Sequence, residues 1–252
     1  MKFKILFSLA LALLYTNIHG QNLEIDSLKN SKDLKFKYSA LILPSALIAY
    51  GAIGIKSDKL QDYNNDIKEE LTQNGHSKLT IDDATQYVPF LSVYALNIAG
   101  VKGKNNFKDR TIILASAFVI MSSSVLVLKS TTHIERPDGS ADNSFPSGHT
   151  ATAFMGAEFL YQEYKDVSIW YGAGGYAVAA ATGFLRMYNN KHWLTDVAAG
   201  AGIGMLSTKI AYWSYPFFRD KFCNHSKQSS VSAVLLPFYN GQQSGLNFSM
   251  AF

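Results

Sequence analysis

The amino-acid sequence predicts an all-α protein built as a bundle of about six helices. Apolar runs of about 17 to 19 residues recur along the chain, a length at the border between membrane spans and buried core helices. Glycine, alanine and serine lie at close spacing inside several runs, a composition that suits tight contacts between helices. An alternating apolar and polar pattern, which favours strands, is confined to the C-terminal tail. The body of the protein is therefore predicted to be helical.

The N-terminal residues precede the predicted bundle. Residues 1–20 begin with two lysines followed by an apolar stretch, the pattern of an export signal, and Gly20 is the candidate cleavage point. Ile18 departs from the small-residue pattern of cleavage sites, so an uncleaved first membrane helix is the alternative. Residues 21–37 are polar and are assigned to a separate N-terminal segment.

The helical domain is assigned to residues 38–216. Its apolar runs and shorter helical patterns predict helices near residues 38–55, 85–101, 111–128, 150–161, 167–185 and 193–215. Residues 217–252 form a tail in which alternating residues around Asn240-Gly241 predict a short β-hairpin. Two strands cannot close a barrel, so the hairpin is treated as an accessory element.

Composition narrows the classes of function. The formal net charge is only +4, and no basic block is interleaved with aromatic residues, so the sequence gives no support to a nucleic-acid partner. The single cysteine, Cys223, excludes an internal disulfide framework and a metal site of the cysteine type.

The connections between helices alternate in charge. Residues 56–83 contain four lysines against seven acidic residues, whereas residues 101–110 contain three lysines and one arginine against one aspartate. If the helices span a bilayer, the basic connection is expected in the cytoplasm and the acidic one outside. A cleaved leader followed by six complete spans would reverse this orientation. Either the bundle does not fully span or the leader is not processed, and both alternatives place the loops described next on the periplasmic side.

Three short segments at helix boundaries carry the candidate chemistry: KSTTHIERP at residues 129–137, PSGH at 146–149 and RMYNNKHWLTD at 186–196. In the second, proline costs little at the start of a helix, and the free amide groups of Ser147, Gly148 and His149 form a cradle for an anion. The cations Lys129, Arg136 and Arg186 can spread over the non-bridging oxygens of a phosphate and stabilise its transition state without a metal ion.

His149 and His192 are predicted to take different catalytic roles. Phosphate-ester cleavage needs an attacking atom and an acid for the leaving oxygen. His192 and Asp196 are four residues apart, on one face if helical, so the carboxylate can hold one imidazole nitrogen while the other attacks. His192 is therefore predicted to be the nucleophile and His149 the general acid that later activates water. His133 has no task in this scheme and is expected to be structural or at the substrate rim.

The pattern of Lys, six residues and Arg-Pro, then Pro-Ser-Gly-His, then Arg, five residues, His, three residues and Asp resembles the signature of the type 2 phosphatidic acid phosphatase superfamily. That superfamily includes lipid phosphate phosphatases, bacterial class A acid phosphatases and vanadium haloperoxidases, and its bundle resembles the helical pattern here. The resemblance implies phosphate binding by Lys129, Arg136, Ser147, Gly148 and Arg186, and the roles above for His149, His192 and Asp196. Leu185 departs from it, because many members have serine there, so one phosphate-side hydroxyl is missing.

The sequence thus predicts an enzyme of the cell envelope, without metal or cofactor, that hydrolyses lipid phosphate monoesters or diphosphates through a phosphohistidine. The expected partners are a membrane and a phosphorylated lipid or small phosphate ester. A soluble periplasmic acid phosphatase of broad specificity is the first alternative, favoured by the leader and the moderate hydropathy. A vanadium-dependent haloperoxidase, for which the chain is short, and a non-enzymatic envelope binding protein are the others.

Overall fold

The computed structural model of the protein describes residues 38–73, 78–223, 232–239 and 244–251. The expected export signal, the polar N-terminal segment and the turn at Asn240-Gly241 lie outside the described residues. These described residues contain eight helices in chain order: α1 (Ser39–Gly54), α2 (Asp58–Thr72), α3 (Asp82–Thr85), α4 (Val88–Ile98), α5 (Phe107–Thr132), α6 (Gly148–Tyr164), α7 (Ile169–Tyr188) and α8 (Leu194–Cys223). The predicted helical class is confirmed, and each of the six predicted helices is present, with ends shifted by at most four residues except for α8, which extends eight residues beyond its predicted end.

Helices α2 and α3 were not predicted. They occupy the connection at residues 56–83, which the sequence presents mainly as a charged stretch. Apolar residues nevertheless recur at helical spacing in α2, at Leu60, Ile67 and Leu71, on a background of charged residues. This one-sided pattern is typical of a surface helix, and the charge-rich composition hides it.

Helix α6 lies at the centre of the bundle. It packs against α4, α5, α7 and α8. Its buried side chains include Ala151, Met155 and Phe159, which belong to the main hydrophobic core. Because α6 is covered on several sides, its first residues are held firmly by the surrounding helices.

Two glycines allow α8 to approach the first half of α6 closely. A Cβ atom added at Gly200 would lie 2.5 Å from the carbonyl oxygen of Ser147, and one at Gly204 would lie 2.2 Å from that of Ala151. Both distances are far below van der Waals contact, so only glycine permits this packing. The sequence predicts tight contacts between helices from its closely spaced small residues, and these two glycines provide one such contact.

The outer surface of α5 is apolar. Val119, Leu126 and Val127 are each more than half exposed. Within the described residues α5 is the helix long and apolar enough to cross a membrane, and α1 with α2 would qualify only as one span bent by 94°. Several exposed apolar residues on one helix are typical of a surface that contacts lipid or another protein.

The described tail contains two strands, β1 (Ser232–Tyr239) and β2 (Ser244–Ala251). They pair antiparallel, with Ser232 opposite Ala251 and Tyr239 opposite Ser244.

Candidate active site

The three motif segments meet at one end of the bundle. Two connections hold them together: the amide of Ser147 donates to the carbonyl oxygen of Asp196 over 3.1 Å, and the ammonium of Lys191 lies 2.6 Å from Oδ2 of Asp138. The first bond joins the start of α6 to the start of α8, and the second joins the loop after α5 to the loop before α8. Residues far apart in sequence are therefore brought into one region.

His192 is buried and is held by its Nδ1 side. Nδ1 lies 3.3 Å from Oγ of Ser144 and 3.5 Å from Oδ2 of Asp196. The Ser144 hydroxyl donates to the same carboxylate oxygen over 2.5 Å, so Nδ1–H donates to Ser144 and the serine relays the contact. Nε2 is then the unprotonated nitrogen available to attack.

The local geometry differs from the sequence expectation in one respect. Helix α8 begins at Leu194, so His192 lies in the turn before it and does not share a helical face with Asp196. Asp196 is in the first helical turn, where its Oδ2 accepts the amide of Trp193 over 2.9 Å. A carboxylate is favourable at a helix N-terminus because amide donors and the helix dipole stabilise its charge.

The charges around His192 connect it with the predicted phosphate-binding cations. Burial lowers the pKa of His192 to about 4, Asp196 opposes this change, and Lys129 and Arg186 add to it. At neutral pH the imidazole is therefore uncharged, as a nucleophile must be. Because Lys129 and Arg186 influence the pKa of His192, both cations lie within electrostatic reach of its imidazole.

Asn143 accepts hydrogen bonds from two of the cations. Its backbone carbonyl accepts a short hydrogen bond from the ammonium of Lys129, and its side-chain oxygen accepts Nε of Arg136 over 3.0 Å. The carbonyl of Ser144 lies 3.4 Å from the same ammonium. These contacts hold Lys129 and Arg136 beside each other although both carry positive charge.

Arg186 is buried, and only part of its hydrogen-bonding capacity is used. Its Nη1 donates to Oδ2 of Asp82 over 2.5 Å, and Asp82 is 1% exposed. Its Nε is buried and, among the residues that the structure describes, has no hydrogen-bond partner. A buried donor without an acceptor is costly, so a phosphate oxygen bound here would complete the site.

The anion cradle at the start of α6 has fewer free amide donors than the sequence predicts. Ser147 is fully buried, its amide is used by Asp196, and its Oγ accepts the hydroxyl of Thr150 over 2.9 Å. The expectation that the Ser147 amide is a free donor is wrong, because the close approach of α8 brings a carbonyl to it. Gly148 and His149 begin the helix, and their amides have no backbone acceptor among the described residues.

His149 pairs with a residue outside the three segments. Its Nε2 lies 2.8 Å from Oδ1 of Asp83, in the short helix α3. Burial and the charge of Arg186 lower the pKa of His149, and the contact with Asp83 acts in the opposite direction. His133, by contrast, is exposed, and its Nδ1 lies 3.8 Å from Oδ2 of Asp142 at the surface.

Sequence reasoning missed four contributors: Asn143, Ser144, Asp82 and Asp83. The first two precede the Pro-Ser-Gly-His segment directly, and that position was the available signal. The carboxylates of Asp82 and Asp83 place oxygens within 4.8 Å of a nitrogen of His149, a grouping that could receive a cation. Arg186 and His149 already engage these carboxylates, so protein donors take the positions that an ion would fill.

Parts of the chain match known proteins. Residues 115–220 match the model of the PAP2 superfamily. The lipid A 1-phosphatase of Porphyromonas gingivalis is 38% identical over 160 residues, which are 62% of this chain and 36% of that protein. The bacitracin transport permease protein BcrC of Bacillus licheniformis is 36% identical over 76 residues, which are 30% of this chain and 35% of that protein. The chain thus matches about a third of the length of these curated relatives.

Two solved structures also match. LpxE of Aquifex aeolicus has 24% identity and a TM-score of 0.47, with 60% of this chain and 94% of that chain covered. The first transmembrane PAP2 type phosphatidylglycerolphosphate phosphatase from Bacillus subtilis has 20% identity and a TM-score of 0.49, with 74% of this chain and 98% of that chain covered.

The fold and the site define a helical bundle that carries cations and two histidines at one end. All three motif segments fall within the matched region. Residues 115–220 match the PAP2 superfamily, the type 2 phosphatidic acid phosphatases, and over this range the resemblance that the motifs carry is confirmed.

Proposed function

We propose that the protein is a metal-independent phosphatase of the cell envelope that hydrolyses lipid phosphate monoesters or diphosphates through a phosphohistidine. The observation that carries the proposal is the buried, neutral imidazole of His192, fixed through Nδ1 and within reach of Lys129 and Arg186. A neutral imidazole beside fixed cations suits attack on an anionic phosphorus centre.

The first chemical step forms the covalent intermediate. Lys129, Arg136 and Arg186 hold the non-bridging oxygens, and Nε of Arg186 is a buried donor that such an oxygen would satisfy. Nε2 of His192 attacks phosphorus while the bond to the leaving oxygen breaks, and His149 gives that oxygen a proton. The cations stabilise the negative charge of the transition state, the task that metal ions perform in other phosphoryl-transfer enzymes.

The second step returns the enzyme to its starting form. His149, now neutral, takes a proton from water as the water oxygen bonds to phosphorus and the bond from phosphorus to His192 breaks. Inorganic phosphate leaves with the cations as its last contacts. One histidine thus serves as acid and then as base, and the other as nucleophile and then as leaving group.

A lipid substrate is supported by the surface of the bundle and by a relative. The exposed apolar residues of α5 end at the helix terminus that carries Lys129, so acyl chains beside them would bring a head group near the cations. The Porphyromonas gingivalis relative is named for removing a phosphate from a lipid, lipid A.

The proposed location is a membrane of the envelope with the site facing the periplasm. The basic connection at residues 101–110 lies at the opposite end of the bundle from the site, because the amide of Lys104 donates to the carbonyl of Glu163 near the end of α6. Lys102, Lys104 and Lys108 are exposed there. The positive-inside rule puts this end in the cytoplasm and the site on the other side.

The test is a substrate screen with purified protein in detergent and with a chelator present. We expect release of phosphate from one or more of phosphatidate, phosphatidylglycerol phosphate, a polyprenyl diphosphate and lipid A, and loss of this release in His192→Ala. Preference for p-nitrophenyl phosphate without detergent would favour a soluble acid phosphatase, and halide oxidation only with added vanadate would favour a haloperoxidase. Activity that the chelator abolishes would reject metal independence.

A further inference from the structure

The short helix α3 brings two carboxylates to the site from outside the three motif segments. Asp82 pairs with Arg186 over 2.5 Å, and Asp83 pairs with His149 over 2.8 Å. Each carboxylate therefore contacts one group to which the proposed chemistry gives a role. Neither residue belongs to a motif, and 66 positions separate Asp83 from His149.

Helix α3 is fixed to α7 on both of its sides. Before it, Leu79 and Asn189 exchange two hydrogen bonds, of 2.9 Å from the Leu79 amide and 2.7 Å to the Leu79 carbonyl. At its end, the hydroxyls of Thr85 and Thr182 lie 2.9 Å apart. These bonds locate the backbone of α3 relative to α7, which carries Arg186 in its last turn.

The two carboxylates differ in burial and therefore in what they do. Asp82 is buried, and its second oxygen lies 3.2 Å from Nδ2 of Asn189, so it anchors α3 as well as Arg186. The Asp83 side chain is 67% exposed, and the His149 side chain is 28% exposed. Fold stability does not depend on an exposed pair of this kind to any large extent, so the Asp83 contact can be tested by itself.

We propose that Asp83 is a positioning residue for His149, a conclusion that rests on the proposed phosphatase function. The carboxylate accepts Nε2–H and so selects the tautomer, in the way that a carboxylate orients the histidine of a catalytic triad. Nδ1 is then the nitrogen that gives a proton to the leaving oxygen and later takes one from water. Without Asp83 the ring can rotate and the proton can reside on either nitrogen.

The charged groups that face His149 set the direction of its pH response. Asp82 and Asp83 face it from α3 and Arg186 faces it from α7. The contact with Asp83 raises the pKa of His149, against the larger effect of burial. The acid form is protonated, so activity falls as pH rises through this pKa. Asp83→Asn should therefore move the basic limb of the pH profile to lower pH.

The test compares Asp83→Asn, Asp83→Glu, His149→Ala and the double variant Asp83→Asn/His149→Ala. We expect Asp83→Asn to lower kcat about 10- to 100-fold, with a small change in KM and the basic limb displaced to lower pH. Asp83→Glu should recover part of the loss. The double variant should be no slower than His149→Ala, because Asp83 acts through that ring.

A second readout separates positioning from a general structural effect. Loss of p-nitrophenolate needs little help from an acid, so the effect of Asp83→Asn on kcat/KM should shrink with p-nitrophenyl phosphate relative to an alkyl phosphate. The matched control is Asp166→Asn, which removes one negative charge at the far end of α6, about 25 Å from the site. This control should retain wild-type kinetics.

Unchanged or increased turnover in Asp83→Asn, with wild-type active and His192→Ala inactive, would overturn the positioning role. An equal loss with both leaving groups, or a full additional loss in the double variant, would also overturn it. Wild-type protein inactive toward every phosphate ester would instead reject the proposed function itself. The two failures are thus distinguished by the wild-type measurement.

Discussion

Ser144 donates its hydroxyl hydrogen to Oδ2 of Asp196 over 2.5 Å, and both side chains are buried. The same hydroxyl oxygen lies 3.3 Å from Nδ1 of His192, closer than the carboxylate at 3.5 Å. Ser144 therefore links the nucleophile to its carboxylate. The link belongs to the segment before α6, whereas His192 and Asp196 belong to the turn and helix that follow α7.

Removing this link should slow the reaction without preventing folding. A buried hydrogen bond to a charged group contributes about 1.5–3 kcal/mol, so Ser144→Ala should lower kcat roughly 10- to 100-fold. Ser123→Ala is the control, because among the described residues that exposed serine bonds only to carbonyls of its own helix. Steady-state kinetics with a lipid phosphate would measure the effect, and wild-type kcat in Ser144→Ala would exclude the link from catalysis.

A phosphohistidine should be trapped on His192. Rapid acid-free quenching with ³²P-labelled substrate should label wild-type protein, and the label should be stable in base and labile in acid, as an N–P bond is. His192→Ala should take up no label and lose turnover by several orders of magnitude while its thermal unfolding stays cooperative. His149→Ala should hold more label with a substrate of good leaving group, because the water step then limits. Label that persists in His192→Ala would identify another nucleophile.

The imidazole of His192 should titrate at a lower pH than an ordinary histidine. Burial lowers the pKa of His192 to about 4, so the neutral, reactive form persists above that pH and is lost as pH falls through it. Histidine-specific ¹³C labelling, with the signal assigned by His192→Gln, should show no titration of this ring between about pH 5 and 8. A midpoint near the ordinary value of about 6.5 would show that the ring is far more solvated than its burial indicates.

The residues predicted from sequence are those whose chemistry is visible at a helix boundary. Lys129, Arg186 and His192 carry charge or a nucleophile where a run of apolar residues ends, and this sufficed to assemble the candidate site. The residues that the sequence does not reveal make their contacts with residues far away in the chain: 52 positions separate Ser144 from Asp196. A serine or an aspartate in a polar loop also has many ordinary explanations. The Ser147 amide was misassigned because its acceptor, a carbonyl of α8, depends on how closely two helices pack.

The close packing of α8 on α6 should be sensitive to a single methyl group. Gly204→Ala would place Cβ 2.2 Å from the carbonyl oxygen of Ala151, and the forced displacement should lower the free energy of unfolding by about 1–3 kcal/mol. Gly174→Ala is the matched control, because nothing lies within 4 Å of its Cβ position. In a helix interior that change should stabilise by about 0.5–1 kcal/mol. Equal unfolding transitions for the two variants, measured in one detergent, would contradict the packing argument.

The orientation of the bundle can be tested by labelling in intact cells. In a Cys223→Ser background, Asp142→Cys puts an exposed thiol at the site end and Lys104→Cys puts one at the basic end. We expect a membrane-impermeant maleimide to label position 142 in intact cells and position 104 only after the inner membrane is opened, because lysines are retained on the cytoplasmic side. The reverse pattern would put the site in the cytoplasm. Labelling of both positions before the inner membrane is opened would mean that the bundle is exported whole, which is what a cleaved leader and a soluble acid phosphatase require.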